Sequence, residues 1–247
     1  MAANIDTLIV VSSCNQDFNP ARLERYLVLA REAEVTPVIV LTKADLATDA
    51  APYRYAALRI KPGLVVETLD ARGGEPLRAL KPWIGRGQTV ALVGSSGVGK
   101  STLANALLGE ARQVTQGIRE DDAKGRHTTT ARMLLRLPAG GWLIDTPGMR
   151  EIQLADVASG IEAVFEDVAA LERQCRFSDC GHESEPGCAV RAAIETGTLT
   201  PERLKRYRKL QREDRRNTET VAERNQRYRA FAKKVRAAAK PKPRAWD

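Results

Sequence analysis

Histidine and cysteine are scarce in this 247-residue sequence, which contains two and four of them respectively. Long apolar runs are missing altogether, because no segment approaches the roughly 20 apolar residues of a membrane-spanning helix. The amino-terminal segment MAANIDTLIVVSS has no basic stretch followed by a long apolar one, so we expect no secretory signal. These absences exclude a helical membrane protein and predict a cytoplasmic protein without membrane contact.

Three of the four cysteines cluster beside a histidine. Cys175, Cys180, His182 and Cys188 fall within 14 residues, and in a cytoplasmic protein this grouping favours a metal over disulfides. Four such ligands suit tetrahedral Zn²⁺ and leave no open position for catalysis, so we predict a structural zinc site. Buried thiols beside a chance histidine are the alternative. Cys14 stands apart and is predicted to be a small core residue.

Positive charge is in excess only at the carboxyl-terminal end. Residues 201–247 hold 17 Lys and Arg against 6 Asp and Glu, whereas the first 200 residues hold 22 against 25. The net charge of +8 therefore comes wholly from the last fifth of the chain. This asymmetry predicts a polyanionic partner, with RNA the leading candidate, although a solubilising helix and tail would have the same composition.

Apolar runs and helical patterns alternate along the chain. Apolar runs predict strands at 8–11, 37–41, 64–69, 89–93, 131–137 and 142–145. Apolar residues at helical spacing predict helices at 22–34, 77–84, 156–171, 189–195 and 201–238. This alternation predicts an α/β fold with a mostly parallel sheet over residues 1–171, followed by a small helical zinc-binding domain at 172–238. The tail at 239–247, rich in Lys, Pro and Ala, is predicted to be disordered.

The segment GSSGVGKS at 94–101 matches the phosphate-binding pattern G-x-x-x-x-G-K-[ST]. A strand is predicted before it and a helix after it, which is the context this pattern requires. Backbone N–H groups of such a loop point at phosphate oxygens, and the following helix adds the positive end of its dipole. We expect Lys100 to reach the β- and γ-phosphates and Ser101 to bind Mg²⁺. The alternative is a Gly/Ser turn, which does not explain the fit of all four fixed positions and both flanks.

Two further motifs favour a guanine nucleotide. Asp145-Thr146-Pro147-Gly148 matches D-x-x-G, whose aspartate holds Mg²⁺ through water and whose glycine N–H contacts the γ-phosphate. Thr42-Lys43-Ala44-Asp45 matches [NT]-K-x-D, whose aspartate accepts hydrogen bonds from N1–H and the 2-amino group of guanine, which adenine lacks. Asp70-Ala71-Arg72 is similar to the Ser-Ala-Lys segment that backs the base, with Asp in place of Ser.

The motifs stand in a permuted order, because the base-reading segments precede the phosphate loop and the metal-side motif comes last. This order, with GSSGVGKS, GRHTTT at 125–130, DTPG and the Cys/His cluster, resembles the RsgA/YjeQ family of ribosome small subunit-dependent GTPases A, circularly permuted GTPases, over all of the chain except the tail. The resemblance implies GTP hydrolysis stimulated by the small ribosomal subunit and a role in its late maturation. The family also carries an amino-terminal OB-fold domain that contacts rRNA, which we expect this chain to lack because it opens where the family's GTPase domain begins.

The residue after DTPG bears on catalysis. Ordinary GTPases carry there a glutamine that orients the attacking water, and this chain has Met149, which cannot do so. The resemblance assigns that task to His127, whose alternative is an exposed loop residue in a segment, 115–130, predicted to be a mobile loop. Thr129 is our choice for the switch-loop ligand of Mg²⁺ in the GTP state.

The predicted site is therefore large. The catalytic residues are predicted to be Lys100 and His127. The nucleotide-binding residues are predicted to be Thr42, Lys43, Asp45, Asp70, Ala71, Gly94, Ser95, Ser96, Gly97, Val98, Gly99, Lys100, Ser101, Thr102, Thr129, Asp145 and Gly148. The expected cofactors are GTP or GDP, Mg²⁺ at Ser101 and Thr129, and Zn²⁺ at the cysteine/histidine cluster, and the expected partner of this monomer is the small ribosomal subunit with its rRNA. Two alternatives remain at this point, namely a guanine-nucleotide-dependent rRNA-binding switch with negligible catalysis and a P-loop ATPase.

Overall fold

The computed structural model describes residues 4–109, 133–145 and 154–218. The strands within these residues are β1 (Thr7–Ser13), β2 (Thr36–Thr42), β3 (Val65–Thr68), β4 (Thr89–Val93), β5 (Met133–Arg136) and β6 (Trp142–Asp145). The α-helices are α1 (Pro20–Glu32), α2 (Ala51–Leu58), α3 (Glu75–Ala79), α4 (Lys100–Leu108), α5 (Ala158–Val164), α6 (Glu166–Glu172), α7 (Ala189–Glu195) and α8 (Pro201–Thr218). Short 3₁₀ turns occupy Ala44–Leu46 and Lys81–Trp83. No helix among the described residues is both long and apolar enough to span a membrane.

The six strands form one sheet in the order β3-β2-β1-β4-β6-β5. Every neighbouring pair is parallel except β5 with β6, which is antiparallel. The predicted mostly parallel α/β fold is thus confirmed. Because parallel strands end at the same edge of a sheet, the segments that follow β2, β3, β4 and β6 emerge together at this edge. These are the four segments that carry the predicted nucleotide motifs.

Side chains alternate between the two faces of the sheet and contribute to two separate hydrophobic cores. On β1, Ile9 joins the core beneath α3 and α4, which includes Leu103 and Leu107. Val10 joins the opposite core, which is built from α1 and from α5 to α8. The carboxyl-terminal helices therefore share one continuous apolar core with α1 and the sheet.

The structure differs from the sequence predictions in its helices. The helix predicted at 77–84 ends at Ala79, and a 3₁₀ turn containing Pro82 follows, because proline cannot donate the hydrogen bond that would continue an α-helix. The helix predicted at 156–171 is broken at Phe165, whose backbone leaves helical angles (φ −109°, ψ 38°) and whose ring is fully buried. Helix α2 was not predicted, because only Ala57 in it is buried and it shows no apolar periodicity.

Other predicted elements are described in part. Strand β3 is one residue shorter at each end than the predicted run at 64–69. Strand β5, predicted at 131–137, ends at Arg136, and residues 131 and 132 lie outside the described residues. The described part of the predicted helix at 201–238 is α8, which reaches Thr218. The predicted mobile loop at 115–130 and the predicted disordered tail lie outside the described residues. Cys14 is buried, and burial raises the pKa of its thiol.

Candidate functional site

The predicted base-reading segment and the predicted phosphate loop are in direct contact. The Thr42 hydroxyl, at the end of β2, is fully buried and lies 2.6 Å from the carbonyl oxygen of Val98 and 3.1 Å from that of Ser12. Both partners only accept, so the hydroxyl donates to them and joins the ends of β1 and β2 to the loop. A Cβ on Gly99 would lie 3.3 Å from the same hydroxyl oxygen, which leaves little room for a side chain there.

The loop between β4 and α4 has the curled backbone that a phosphate cradle requires. Gly94 has φ 149°, and a Cβ placed on it would come within 2.2 Å of the Val11 carbonyl oxygen, so only glycine fits. Gly99 has φ 90° and precedes Lys100, the first residue of α4. Gly94 is thus explained by close backbone approach and Gly99 by its left-handed φ beside the Thr42 side chain. The amino-terminal end of a nine-residue helix faces the loop.

Within the part of the chain that the structure describes, a lysine and an arginine contact the phosphate loop at Ser95. The Lys100 ammonium donates a hydrogen bond to the Ser95 carbonyl oxygen, and the Arg22 guanidinium, from the first turn of α1, donates one to the Ser95 hydroxyl. Lys100 was predicted from the motif. Arg22 was not, because it lies 73 residues away in sequence and no local pattern links it to the loop.

At the other end of the site, Arg72 bridges two carboxylates. Its guanidinium forms an ion pair with Asp45 and lies 2.9 Å from Asp70. Hydrogen bonds from Arg72 hold the pKa of Asp70 below its ordinary value. Lys43, within the same motif as Asp45, has the left-handed φ of 57°, which is unusual for a residue other than glycine and typical of functional segments. Arg72 belongs to the Asp70-Ala71-Arg72 motif, but the sequence does not predict it as a site residue.

Several predicted site residues lie at or beyond the limits of what the structure describes. Asp145 is the last residue of β6 and so stands at the same sheet edge as the phosphate loop. His127, Thr129 and Gly148 lie outside the described residues.

The cysteine/histidine cluster is assembled in space as the spacing predicted. The three sulfur atoms and one ring nitrogen of Cys175, Cys180, His182 and Cys188 lie within 4.8 Å of one another. Cys175 Sγ is 4.0 Å from Cys188 Sγ, and His182 Nδ1 is 3.6 Å and 3.4 Å from these two sulfurs. Zinc bonded at ~2.3 Å to sulfur and ~2.0 Å to nitrogen gives tetrahedral edges of about 3.8 Å and about 3.6 Å. The donor set and its spacing thus fit Zn²⁺.

The loop that carries the histidine ligand is held by a carboxylate. Glu185 accepts backbone hydrogen bonds from Gly181, Glu183 and Ser184 at 2.8–3.0 Å. Hydrogen bonds from its own backbone N–H and from these three donors lower the pKa of Glu185 to about 2, so the group stays ionised at neutral pH. His182 itself has a φ of 58°, and the turn therefore needs such support.

A network of buried charges joins the carboxyl-terminal helix to α1. Glu24 is fully buried and accepts from Arg203 at 2.8 Å and from Arg206 at 2.8 Å and 2.9 Å. Arg203 also donates to Asp167 and to the carbonyl oxygens of Ile60 and Val164. We call the side chains of Glu24, Arg203 and Arg206 the Glu24 network. Sequence reasoning missed this network because Glu24 is about 180 residues from the two arginines.

Comparison with known proteins gives the following relatives. A family model described as RsgA GTPase matches residues 1–155. The chain is 55% identical over 236 residues to small ribosomal subunit biogenesis GTPase RsgA 2 of Vibrio parahaemolyticus, covering 96% of this chain and 66% of that protein. It is 59% identical over 220 residues to small ribosomal subunit biogenesis GTPase RsgA of Mesorhizobium japonicum, covering 88% and 64%.

A solved structure supports the same grouping. The crystal structure of YloQ, a circularly permuted GTPase, superposes with a TM-score of 0.61 at 25% identity, covering 88% of this chain and 71% of that one. The chain spans about two thirds of the length of the curated relatives that it matches.

Proposed function

Because the chain belongs to the RsgA GTPase family, we propose that it hydrolyses GTP to GDP and phosphate, is stimulated by the small ribosomal subunit, and acts in late maturation of that subunit. A protein with this role works where ribosomes are assembled, in the cytoplasm, and we propose that it does so as a monomer. The names of the relatives support the small ribosomal subunit as the partner, and the site described above supports a bound nucleotide.

One observation carries the proposal of a guanine nucleotide. The Thr42 hydroxyl, three residues before Asp45, donates to the Val98 carbonyl of the phosphate loop at 2.6 Å. A motif that reads the base and a loop that holds phosphates are thereby adjacent at one sheet edge, as a single bound nucleotide requires. The loop fits the phosphate-binding pattern at Gly94, where the backbone conformation and the close approach of the Val11 carbonyl oxygen exclude a side chain.

The residues have distinct proposed tasks. Lys100 moves from the loop carbonyl to the β- and γ-phosphates, and Ser101 holds Mg²⁺, which when bound neutralises charge that develops on the phosphates. Asp45 selects guanine, since an adenine would leave this carboxylate facing a base edge without two donors. Asp145, Gly148 and Thr129 are proposed for the metal and γ-phosphate side, and His127 is proposed to orient the attacking water.

Contact with the subunit is proposed to involve α8. Four cations on this helix, Lys205, Lys209, Arg212 and Arg216, are exposed and recur at spacings of four, three and four residues, so they form one stripe. The opposite side of α8 is buried against the core. A one-sided positive stripe suits the phosphate backbone of rRNA, whose binding then weakens as salt rises.

Nucleotide turnover titrated with purified small subunits tests the proposal. We expect binding of GTP and GDP that ATP does not compete, slow single-turnover hydrolysis by the free protein, and an acceleration that saturates with subunit concentration. Competition by ATP at concentrations equal to GTP would favour the P-loop ATPase instead.

The switch without catalysis is the second candidate, and Met149 in the place of the water-orienting glutamine favours it. It predicts GTP-dependent binding to the subunit with no acceleration of hydrolysis.

A further inference from the structure

The metal cluster has a supporting shell that reaches the carboxyl-terminal helix. His182 presents Nδ1 to the cysteine sulfurs, while its Nε2 lies 3.0 Å from a carboxylate oxygen of Glu172 at the end of α6. The imidazole is almost fully buried, with 8% of its side chain exposed, whereas the Glu172 side chain is 30% exposed. An ionised carboxylate can only accept, and the proton of a neutral imidazole therefore sits on Nε2. The lone pair of Nδ1 is then directed at the position where the metal fits.

Glu172 is itself held by α8. Its second carboxylate oxygen accepts a hydrogen bond from the hydroxyl of Tyr207 at 2.7 Å, and Tyr207 is 96% buried. Burial and the neighbouring Glu172 carboxylate raise the pKa of Tyr207, so the phenol remains a donor at every physiological pH. The Tyr207 ring also packs on Phe165, with centroids 5.4 Å apart. The hydroxyl thus holds Glu172 from an element that contributes no metal ligand.

We propose that Glu172 is a positioning residue for the zinc ligand His182, and that Tyr207 completes this shell from α8. Such a carboxylate–histidine–metal arrangement fixes the ring orientation and makes the nitrogen a stronger ligand. Zinc affinity consequently depends on the docking of α8, and zinc binding in turn stabilises α8, since the coupling of two equilibria is reciprocal. This inference concerns the metal centre and does not rest on the proposed GTPase activity.

Zinc affinity of four variants tests the proposal. The variants are Glu172→Ala, Glu172→Gln, Tyr207→Phe and, as a matched control, Glu162→Ala. Glu162 forms an exposed ion pair with Arg173 and makes no described hydrogen bond to His182 or Tyr207, although its charge acts on Tyr207 through space, so it controls for a purely electrostatic effect. The dissociation constant of the full chain for Zn²⁺ is measured at constant pH by competition with a chromophoric chelator, which requires no nucleotide and no turnover.

We expect Glu172→Ala to weaken zinc binding roughly 10- to 100-fold, the usual effect of losing such a partner. Glu172→Gln should weaken zinc binding less than Glu172→Ala does, because the amide oxygen still accepts a hydrogen bond from Nε2–H, although it carries no charge. Tyr207→Phe keeps the ring and removes one hydroxyl, and it should weaken binding severalfold although it lies outside the ligand set. Glu162→Ala should stay within twofold of the unaltered chain.

A further variant distinguishes loss of the Tyr207 hydrogen bond from a general loss of folding stability. Leu210→Ala removes a buried apolar side chain of α8 that takes no part in the hydrogen bonds of the shell, and so it loosens the helix without removing a member of the shell. If Leu210→Ala weakens zinc as much as Tyr207→Phe at equal loss of stability, the role of the Tyr207 hydroxyl is refuted. If Glu172→Ala binds zinc within twofold of the unaltered chain, the proposal as a whole is refuted.

Discussion

At the scale of single residues, the site is built from side chains whose environment decides what they can do. Thr42 joins a strand end to the phosphate loop because its buried hydroxyl must donate, and the loop carbonyl is the nearer of the two acceptors within reach. Asp45 is partly exposed and paired with Arg72, so its carboxylate is accessible to a ligand. A charged acceptor at this place distinguishes purines by the donors on their edges.

Replacement of Asp45 by Asn should change which purine is bound. The amide offers one donor and one acceptor where guanine needs two acceptors, whereas xanthine carries a carbonyl oxygen in place of the 2-amino group and accepts the new donor. We expect affinity for GDP to fall by at least 10-fold and affinity for xanthosine diphosphate to rise, as measured by fluorescent-nucleotide competition.

Asp49→Asn is the matched control, because Asp49 lies in the same loop and its side-chain oxygen, which Asn retains, accepts a hydrogen bond from the backbone N–H of Ala51. Guanine selectivity that survives in Asp45→Asn would contradict the assignment of this carboxylate.

At the scale of elements, the sequence predicts those features that are encoded by residues close to one another in the chain. The phosphate loop, the strands around it and the spacing of the metal ligands follow from glycine positions, apolar runs and residue types within about 15 residues. The positions of Arg22 against Ser95 and of Tyr207 against Glu172 could not be predicted, because the first depends on how α1 packs against the phosphate loop and the second on how α6 packs against α8. Helix α2 was missed for a related reason, since it buries too little to carry a periodic signal.

The contact between α1 and α8 includes a partly exposed ion pair that should depend on pH. Arg25 lies 2.6–2.7 Å from the Glu213 carboxylate and holds its pKa below the ordinary value of 4.5. A carboxylate with a lowered pKa in the folded state stabilises that state above pH 4.5, and the contribution is lost as pH falls through the folded pKa. Both side chains are about one quarter exposed, so we expect Glu213→Gln to cost less than about 1 kcal/mol at pH 7.

The measurement compares urea unfolding of Glu213→Gln and the unaltered chain from pH 7 down to pH 4. The difference in unfolding free energy should be constant at the upper end and shrink below pH 4.5. A difference that grows on acidification would mean that Glu213 is not stabilised in its charged form.

At the scale of the whole molecule, α1 stands between the phosphate loop and the carboxyl-terminal helix. Arg22 contacts Ser95 of the loop, and only two residues later Glu24 receives Arg203 and Arg206 from α8. The segment that carries the cysteine/histidine cluster is therefore joined to the sheet by a continuous apolar core and by buried charges. Displacement of α8 would have to break the Glu24 network first.

Neutralising the centre of this network should destabilise the whole molecule. Glu24→Gln leaves Arg206 without its carboxylate and Arg203 with only Asp167, and breaking a buried ion pair typically costs about 3–5 kcal/mol because a charge remains uncompensated. Glu195→Gln is the control, since it removes the same charge from an exposed pair with Arg191 and should cost less than about 0.5 kcal/mol. Urea unfolding of the zinc-loaded chain at pH 7, followed by circular dichroism, measures both. Equal small losses in the two variants would show that the buried charges do not hold α8 to α1, and that the apolar core alone does so.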